Sequence, residues 1–130
     1  MRSIHILAAV LAVAACSKDA TGPTHSPLAG TYAISQYYDS LNGGWSAATG
    51  SLTLTDTSYE WVLTAAIYYN TPLNDQGRYV TSGSSFTEHS YGGPDCAGTY
   101  TFKHHNTAGA DTLTIDCMLN GDELLSRWVK

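Results

Sequence analysis

From Leu28 onward, apolar and polar residues alternate with a period of two, and turn-rich stretches break the alternation at short intervals. Successive side chains of a strand point to opposite faces, so this pattern predicts strands with one apolar face each. Eight are predicted: Leu28–Tyr38, Gly50–Thr55, Ser58–Asn70, Gly77–Thr81, Ser85–Tyr91, Cys96–His104, Thr112–Leu119 and Asp122–Lys130. On the third, Tyr59, Trp61, Leu63, Ala65 and Ile67 share a face. Turns are expected over Asp39–Ala48, Pro72–Gln76 and Gly92–Asp95, and Asn120-Gly121 is a strong hairpin signal. No segment has a helical period; Tyr59–Tyr69 comes nearest, because Ala65-Ala66 tolerates a helix.

Eight antiparallel strands with one apolar face each must hide their edges. Closure into an up-and-down barrel does this fully, and a two-sheet sandwich does it less completely. The near-uniform short connections favour strands that neighbour one another in sequence order. The expected fold is therefore all-β, an eight-stranded antiparallel up-and-down barrel over residues 28–130.

The segment before the barrel has a different pattern. Arg2 supplies a positive charge, Ile4 to Val13 is apolar apart from His5, and Ala14 and Ala15 precede Cys16. This is the layout of a secretory signal, and the apolar run is about half of the ~20 residues a spanning helix needs. The order Val13-Ala14-Ala15-Cys16 resembles the lipobox of bacterial lipoproteins. The resemblance implies cleavage after residue 15, lipid on Cys16 and an exported protein anchored to a membrane through that lipid. Ser17, where a retained lipoprotein carries aspartate, implies outer-membrane anchoring, facing the periplasm or the cell surface. Residues 16–27 then form the lipidated cysteine and a polar tether punctuated by Gly22, Pro23 and Pro27.

Charge narrows the partners. The chain carries −5 overall, and losing residues 1–15 removes Arg2 and makes the remainder more negative still. There is no basic cluster, which argues against nucleic-acid binding. Thr, Ser, Gly and Tyr are abundant, a mixture suited to strands with hydroxyl-bearing outer faces and glycine turns.

Gly30-Thr31-Tyr32 at the start of the first strand and Arg127 in the last resemble the lipocalin-like barrels. Those open with Gly-x-Trp and pack a late arginine over that ring at the closed end. The resemblance implies that Gly30 and Arg127 take part in barrel closure, with Tyr32 in place of the tryptophan. Alternation leaves open whether Arg127 or Trp128 points inward, since both faces of the last strand carry apolar residues.

Once Cys16 is lipidated, two cysteines remain. Cys96 and Cys117 lie on the sixth and seventh strands, equidistant from the His105–Ala108 turn, so a hairpin centred there sets them directly opposite each other. Opposed residues have the separation a disulfide needs, and an exported compartment permits oxidation.

Signals for chemistry are few. His104-His105 point to opposite faces of a strand and are expected as solvated turn residues, while His25 and His89 have no partner in sequence. Glu60, Glu88 and Glu123 fall where outward charges are expected, and Asp75 and Asp95 fall in turns. No nucleophile elbow, zinc-binding helix motif or phosphate loop is present. Neither an enzyme, a metal site nor a cofactor is expected. The aromatics are more suggestive. Tyr32, Trp61, Phe86, Tyr100 and Phe102 are expected inward, with Leu63 beside Trp61. The interior of an eight-stranded barrel is either filled by side chains or holds one small ligand. The first alternative makes the protein a structural lipoprotein that binds another envelope protein. The second makes these six residues a binding site for a small apolar ligand, in a carrier or sensor.

Overall fold

A computed structural model describes residues 25–105 and 109–130. The signal segment, Cys16, most of the tether and the tip of the His105–Ala108 turn lie outside the described residues.

Nine strands occur in chain order: β1 (Gly30–Asp39), β2 (Gly44–Ser46), β3 (Ala48–Leu54), β4 (Ser58–Ala65), β5 (Pro72–Ser82), β6 (Ser85–Ser90), β7 (Cys96–Lys103), β8 (Thr112–Leu119) and β9 (Asp122–Val129). Every pairing is antiparallel, and β9 pairs back onto β1. β2 and β3 pair with successive parts of the same edge of β1 and are separated only at Ala47. They are one barrel strand with a break, so the fold is a closed eight-stranded up-and-down barrel. That strand reaches back to Gly44, well into the stretch whose sequence reads as a turn.

Two further boundaries differ from the alternation pattern. The third predicted strand stops at Ala65, because the chain reverses through a 3-10 turn at Ala66–Tyr68 and two left-handed residues, Tyr69 and Asn70, at φ 56° and 55°. Pro72–Gln76 is strand rather than turn, pairing with Thr64 through Glu60. Pro72 is the first residue of β5, a position where a missing N–H is tolerated.

β1 carries a bulge. Its register with β9 shifts between Ile34 and Gln36, leaving Ser35 as the extra residue, and the Ser35 hydroxyl donates to the Arg127 carbonyl at 2.9 Å. The bulge inverts the alternation. Tyr32 and Ile34 face inward before it, and Tyr37 and Asp39 face inward after it.

One end of the barrel is packed solid. Leu28, Tyr32, Leu54, Tyr79, Phe86 and Leu113 are buried there, with Phe86 stacked on Tyr79 at 5.4 Å and edge-on to Tyr100 at 6.0 Å. The chain enters under this floor. The Tyr32 hydroxyl donates to the Leu28 carbonyl at 2.7 Å, and the Tyr79 hydroxyl donates to the Thr55 carbonyl at 2.7 Å and accepts from the Ser26 hydroxyl at 2.8 Å. Asp56 accepts from the Ser26 N–H at 2.8 Å and lies 3.0 Å from the His25 ring. Among the described residues the barrel's own contacts thus reach back to His25, inside the stretch read as tether.

Closure at this end departs from the resemblance. Arg127 is on the outer face, 4.5 Å from the centre of the exposed Trp45 ring and bonded to Gln36 across the β1–β9 seam, while Trp128 is the residue that points inward. The cation over Tyr32 is instead Lys130, 5.7 Å from the ring centre, with its ammonium donating to the Ala29 carbonyl at 2.9 Å. Register explains the exchange: the inward positions of β9 are those in phase with Trp128, so Arg127 faces out. Gly30 leaves room for Lys130, since a Cβ there would lie 2.5 Å from Nζ, and its φ of +149° favours glycine.

Cys96 and Cys117 are disulfide-bonded, with Cα atoms 5.6 Å apart. They are not directly opposed. Cys117 pairs with Gly98, so the bridge runs diagonally across the β7–β8 ladder. The hairpin register is therefore two residues away from the one that equal spacing to the turn gives. Gly98 permits the close approach: a Cβ there would lie 1.9 Å from the Asp116 carbonyl oxygen.

Candidate functional site

The end of the barrel opposite the floor holds a cavity of about 570 Å³. Its deep walls are apolar: Leu52 from β3, Trp61 and Leu63 from β4, Ile115 from β8, Trp128 from β9, and the Cys96–Cys117 bridge. Alternation in each strand aims these side chains at a common interior. The mouth is bordered by the β6–β7 loop, where Tyr91 to Pro94 line the entrance.

Of the six residues expected to meet a ligand, Trp61 and Leu63 line this cavity. Tyr32 and Phe86 are fully buried in the floor, and Tyr100 and Phe102 pack against the core from β7, away from the cavity wall. The two groups separate because inward residues nearer the chain's entry point fill the tapering end, while those nearer β4's Ala65 end leave space.

Three acidic residues give the upper barrel its polar character, and none was expected there. Asp39 is buried at the end of β1. Its carboxylate accepts from the Leu41 and Asn42 backbone N–H groups at 3.0 and 2.8 Å, from the Asn42 amide at 2.9 Å, and from the Tyr68 hydroxyl. Tyr37 lies 3.2 Å from Tyr68, hydroxyl to hydroxyl. Burial alone would raise the Asp39 carboxyl, but the hydrogen bonds from Tyr68 and Asn42 outweigh it and hold the group below the ordinary carboxylate range. Burial pushes the Tyr37 phenol up to about 12.

Asp75 is on β5 and lines the cavity. It accepts from the Tyr59 hydroxyl at 2.6 Å and from Ser90 at 2.7 Å, and Ser90 in turn accepts from the Gly93 N–H at 2.9 Å. This chain of contacts ties the mouth loop to the wall. Burial and the hydrogen bond to Asp75 both raise the Tyr59 phenol, so it stays a donor.

Glu88 also lines the cavity, a correction to its expected outward position. It shares the inward face of β6 with Phe86 and pairs with Tyr79 and Cys96, both buried. Among the described residues its carboxyl has no hydrogen-bond or ion-pair partner. Burial, and then the charge of Asp75, push it up to about 8. The alternation did contain this signal, since an inward Phe86 requires an inward Glu88 two residues on. Glu60 and Glu123 are exposed.

The described histidines are on the outside, and three of them pair with aspartates: His25 with Asp56 at 3.0 Å, His89 with Asp95 at 2.7 Å and His104 with Asp111 at 2.8 Å. No three His, Cys, Asp or Glu side chains among the described residues gather as a metal site.

The fold and site define a closed antiparallel barrel with a packed floor and an open, mainly apolar cavity at the opposite end. Comparison with protein-family models, with curated proteins and with solved structures gives no match.

Proposed function

We propose that this chain is an exported lipoprotein, anchored to the outer membrane through lipid on Cys16, whose barrel binds a small apolar ligand without transforming it, as a carrier or sensor. The observation that carries the reading is the cavity: about 570 Å³ walled by Leu52, Trp61, Leu63, Ile115 and Trp128. That volume lies within the range of small-molecule sites, as does an apolar wall with a few fixed polar groups. A core filled throughout would have favoured the purely structural alternative.

Native mass spectrometry of the exported Cys16→Ser protein, purified without detergent, tests this reading. An extra mass retained on the intact barrel identifies the ligand class. An empty barrel that also gains no thermal stability from a panel of apolar molecules would sink it. Radiolabelled fatty acid incorporated by the natural protein and not by Cys16→Ser tests the anchor.

One observation favours the interaction reading as well. Leu41, Tyr69 and Tyr91, on three loops at the mouth end, are 74%, 94% and 66% exposed. Apolar side chains grouped on one rim are suited to contact with another envelope protein. Crosslinking from these three loops in intact cells separates the two: a protein adduct from the rim supports a partner, and its absence leaves the ligand reading alone.

A further inference from the structure

The cavity contains a carboxyl group that its apolar walls do not require. Asp75 and Glu88 line it, and no Lys, Arg or His does. Asp75 is engaged by Tyr59 and Ser90. Glu88 is engaged by nothing among the described residues, although it is half-buried on the inward face of β6 and lines the cavity. A half-buried acid on the inward wall, with no counter-charge lining the same space, is a ready binding group for a cation that arrives from outside. The same space is lined by the rings of Trp61, Trp128 and Tyr37. Ring faces attract cations, and a carboxylate pairs with them. An anionic ligand would meet two acids and no counter-charge, and a neutral hydrocarbon would leave Glu88 as it is.

We infer that the ligand is a hydrophobic amine or quaternary ammonium compound, its apolar body against Leu52, Leu63 and Ile115 and its cationic head at Glu88. This rests on the reading of the barrel as a ligand-binding protein. The groups facing Glu88 are Asp75 and Tyr79 from β5, Tyr59 from β4, Tyr37 from β1 and the disulfide-bonded Cys96 from β7. None of these is a cation, so the head group has no internal competitor. Because the empty site holds Glu88 up to about 8, a cation binds with release of a proton near neutral pH. Affinity for a permanently charged ligand therefore rises with pH until Glu88 is ionised.

The test compares three probes of equal chain length, decyltrimethylammonium, decanol and decanoate, on the full chain carrying Cys16→Ser. Binding is followed by tryptophan fluorescence, to which Trp61 and Trp128 report. At pH about 8.5 the ammonium probe is expected to bind about tenfold or more tightly than decanol, the range of a partly desolvated cation–π contact reinforced by the Glu88 charge. The advantage shrinks at pH about 6.5, where Glu88 is protonated, and in Glu88→Gln the ratio of ammonium to decanol affinity falls to about one. A preference that survives Glu88→Gln, or decanoate as the tightest probe, overturns the inference. Decanol binding with no ammonium preference overturns it but leaves the apolar-ligand reading standing, and failure of all three probes overturns both. Should Glu88→Gln not fold, the pH dependence of the natural barrel decides.

Discussion

Tyr68 donates its hydroxyl hydrogen bond to Asp39, the one fully buried charged side chain among the described residues. The contact joins the 3-10 turn after β4 to the end of β1 and so ties two loops of the mouth together. Tyr68→Phe removes a hydrogen bond to a charged group and is expected to cost about 1.5–3 kcal/mol of stability. The folded Asp39 carboxyl lies below its ordinary value, so its contribution is present above the unfolded value and is lost as pH falls through the folded one. The difference between the natural protein and Tyr68→Phe should therefore be full at neutral pH and shrink in acid. Urea unfolding at the two pH values checks both the size and the sign.

Cys96 and Cys117 are 21 residues apart and bridge the β7–β8 hairpin whose tip lies outside the described residues. Closing a loop of that size should contribute roughly 3 kcal/mol, mainly by restricting the unfolded chain. The double substitution Cys96→Ala/Cys117→Ala is expected to lower the unfolding free energy by that amount, read as a lower urea midpoint, and to leave the barrel's circular dichroism unchanged. An unchanged midpoint would mean that the hairpin is held in the unfolded state by other means.

Gly98 makes the diagonal bridge possible. It sits opposite Cys117, and a Cβ there would lie 2.7 Å from the Cys117 Cα as well as against the Asp116 carbonyl. Backbone atoms cannot yield as a flexible side chain does. Gly98→Ala is expected to cost about 3 kcal/mol or more, at the upper end of overpacking effects. Gly43→Ala is the contrast, because nothing lies within 4 Å of its Cβ position and only its φ of +116° opposes the change. Thermal melts of the two variants rank steric approach against backbone conformation.

The barrel was legible in the sequence because closure follows from alternation and short connections, and both are properties of the chain alone. Features that depend on register were not. One bulge at Ser35 inverts which residues of β1 face inward, which is how Asp39 enters the interior although its sequence neighbours read as a turn. The disulfide partners were legible, but their diagonal arrangement depends on a two-residue shift that no spacing argument contains. Arg127 and Lys130 exchanged roles for the same reason: only the phase of β9 decides which cation reaches Tyr32. Within the site, Trp61 and Leu63 were legible as inward residues of one strand. Glu88 was hidden by the expectation that a charge faces water, although Phe86 fixed its phase.

The half-buried Glu88 carboxyl also sets how the barrel without ligand responds to pH. Glu88 has an ordinary value of 4.5 and is held up to about 8 in the folded protein, first by burial and then by Asp75. Between those two values the folded state keeps a proton that the unfolded state has lost, so stability falls as pH rises. The contribution is fully present below the unfolded value and is gone once pH passes the folded one. The exposed His–Asp pairs are common to any Glu88 variant, so the comparison with Glu88→Gln isolates the carboxyl. The natural protein is expected to lose a few kcal/mol between pH about 5 and pH about 8 relative to Glu88→Gln, whose amide does not ionise. Urea unfolding of both proteins across that range is the measurement. Parallel curves would mean that water entering the cavity solvates the carboxylate as well as bulk water does, and the strain attributed to Glu88 would then be absent. Diverging curves, closing again when decyltrimethylammonium is added to the natural protein at the alkaline end, would tie the instability of the empty site to the cation that relieves it.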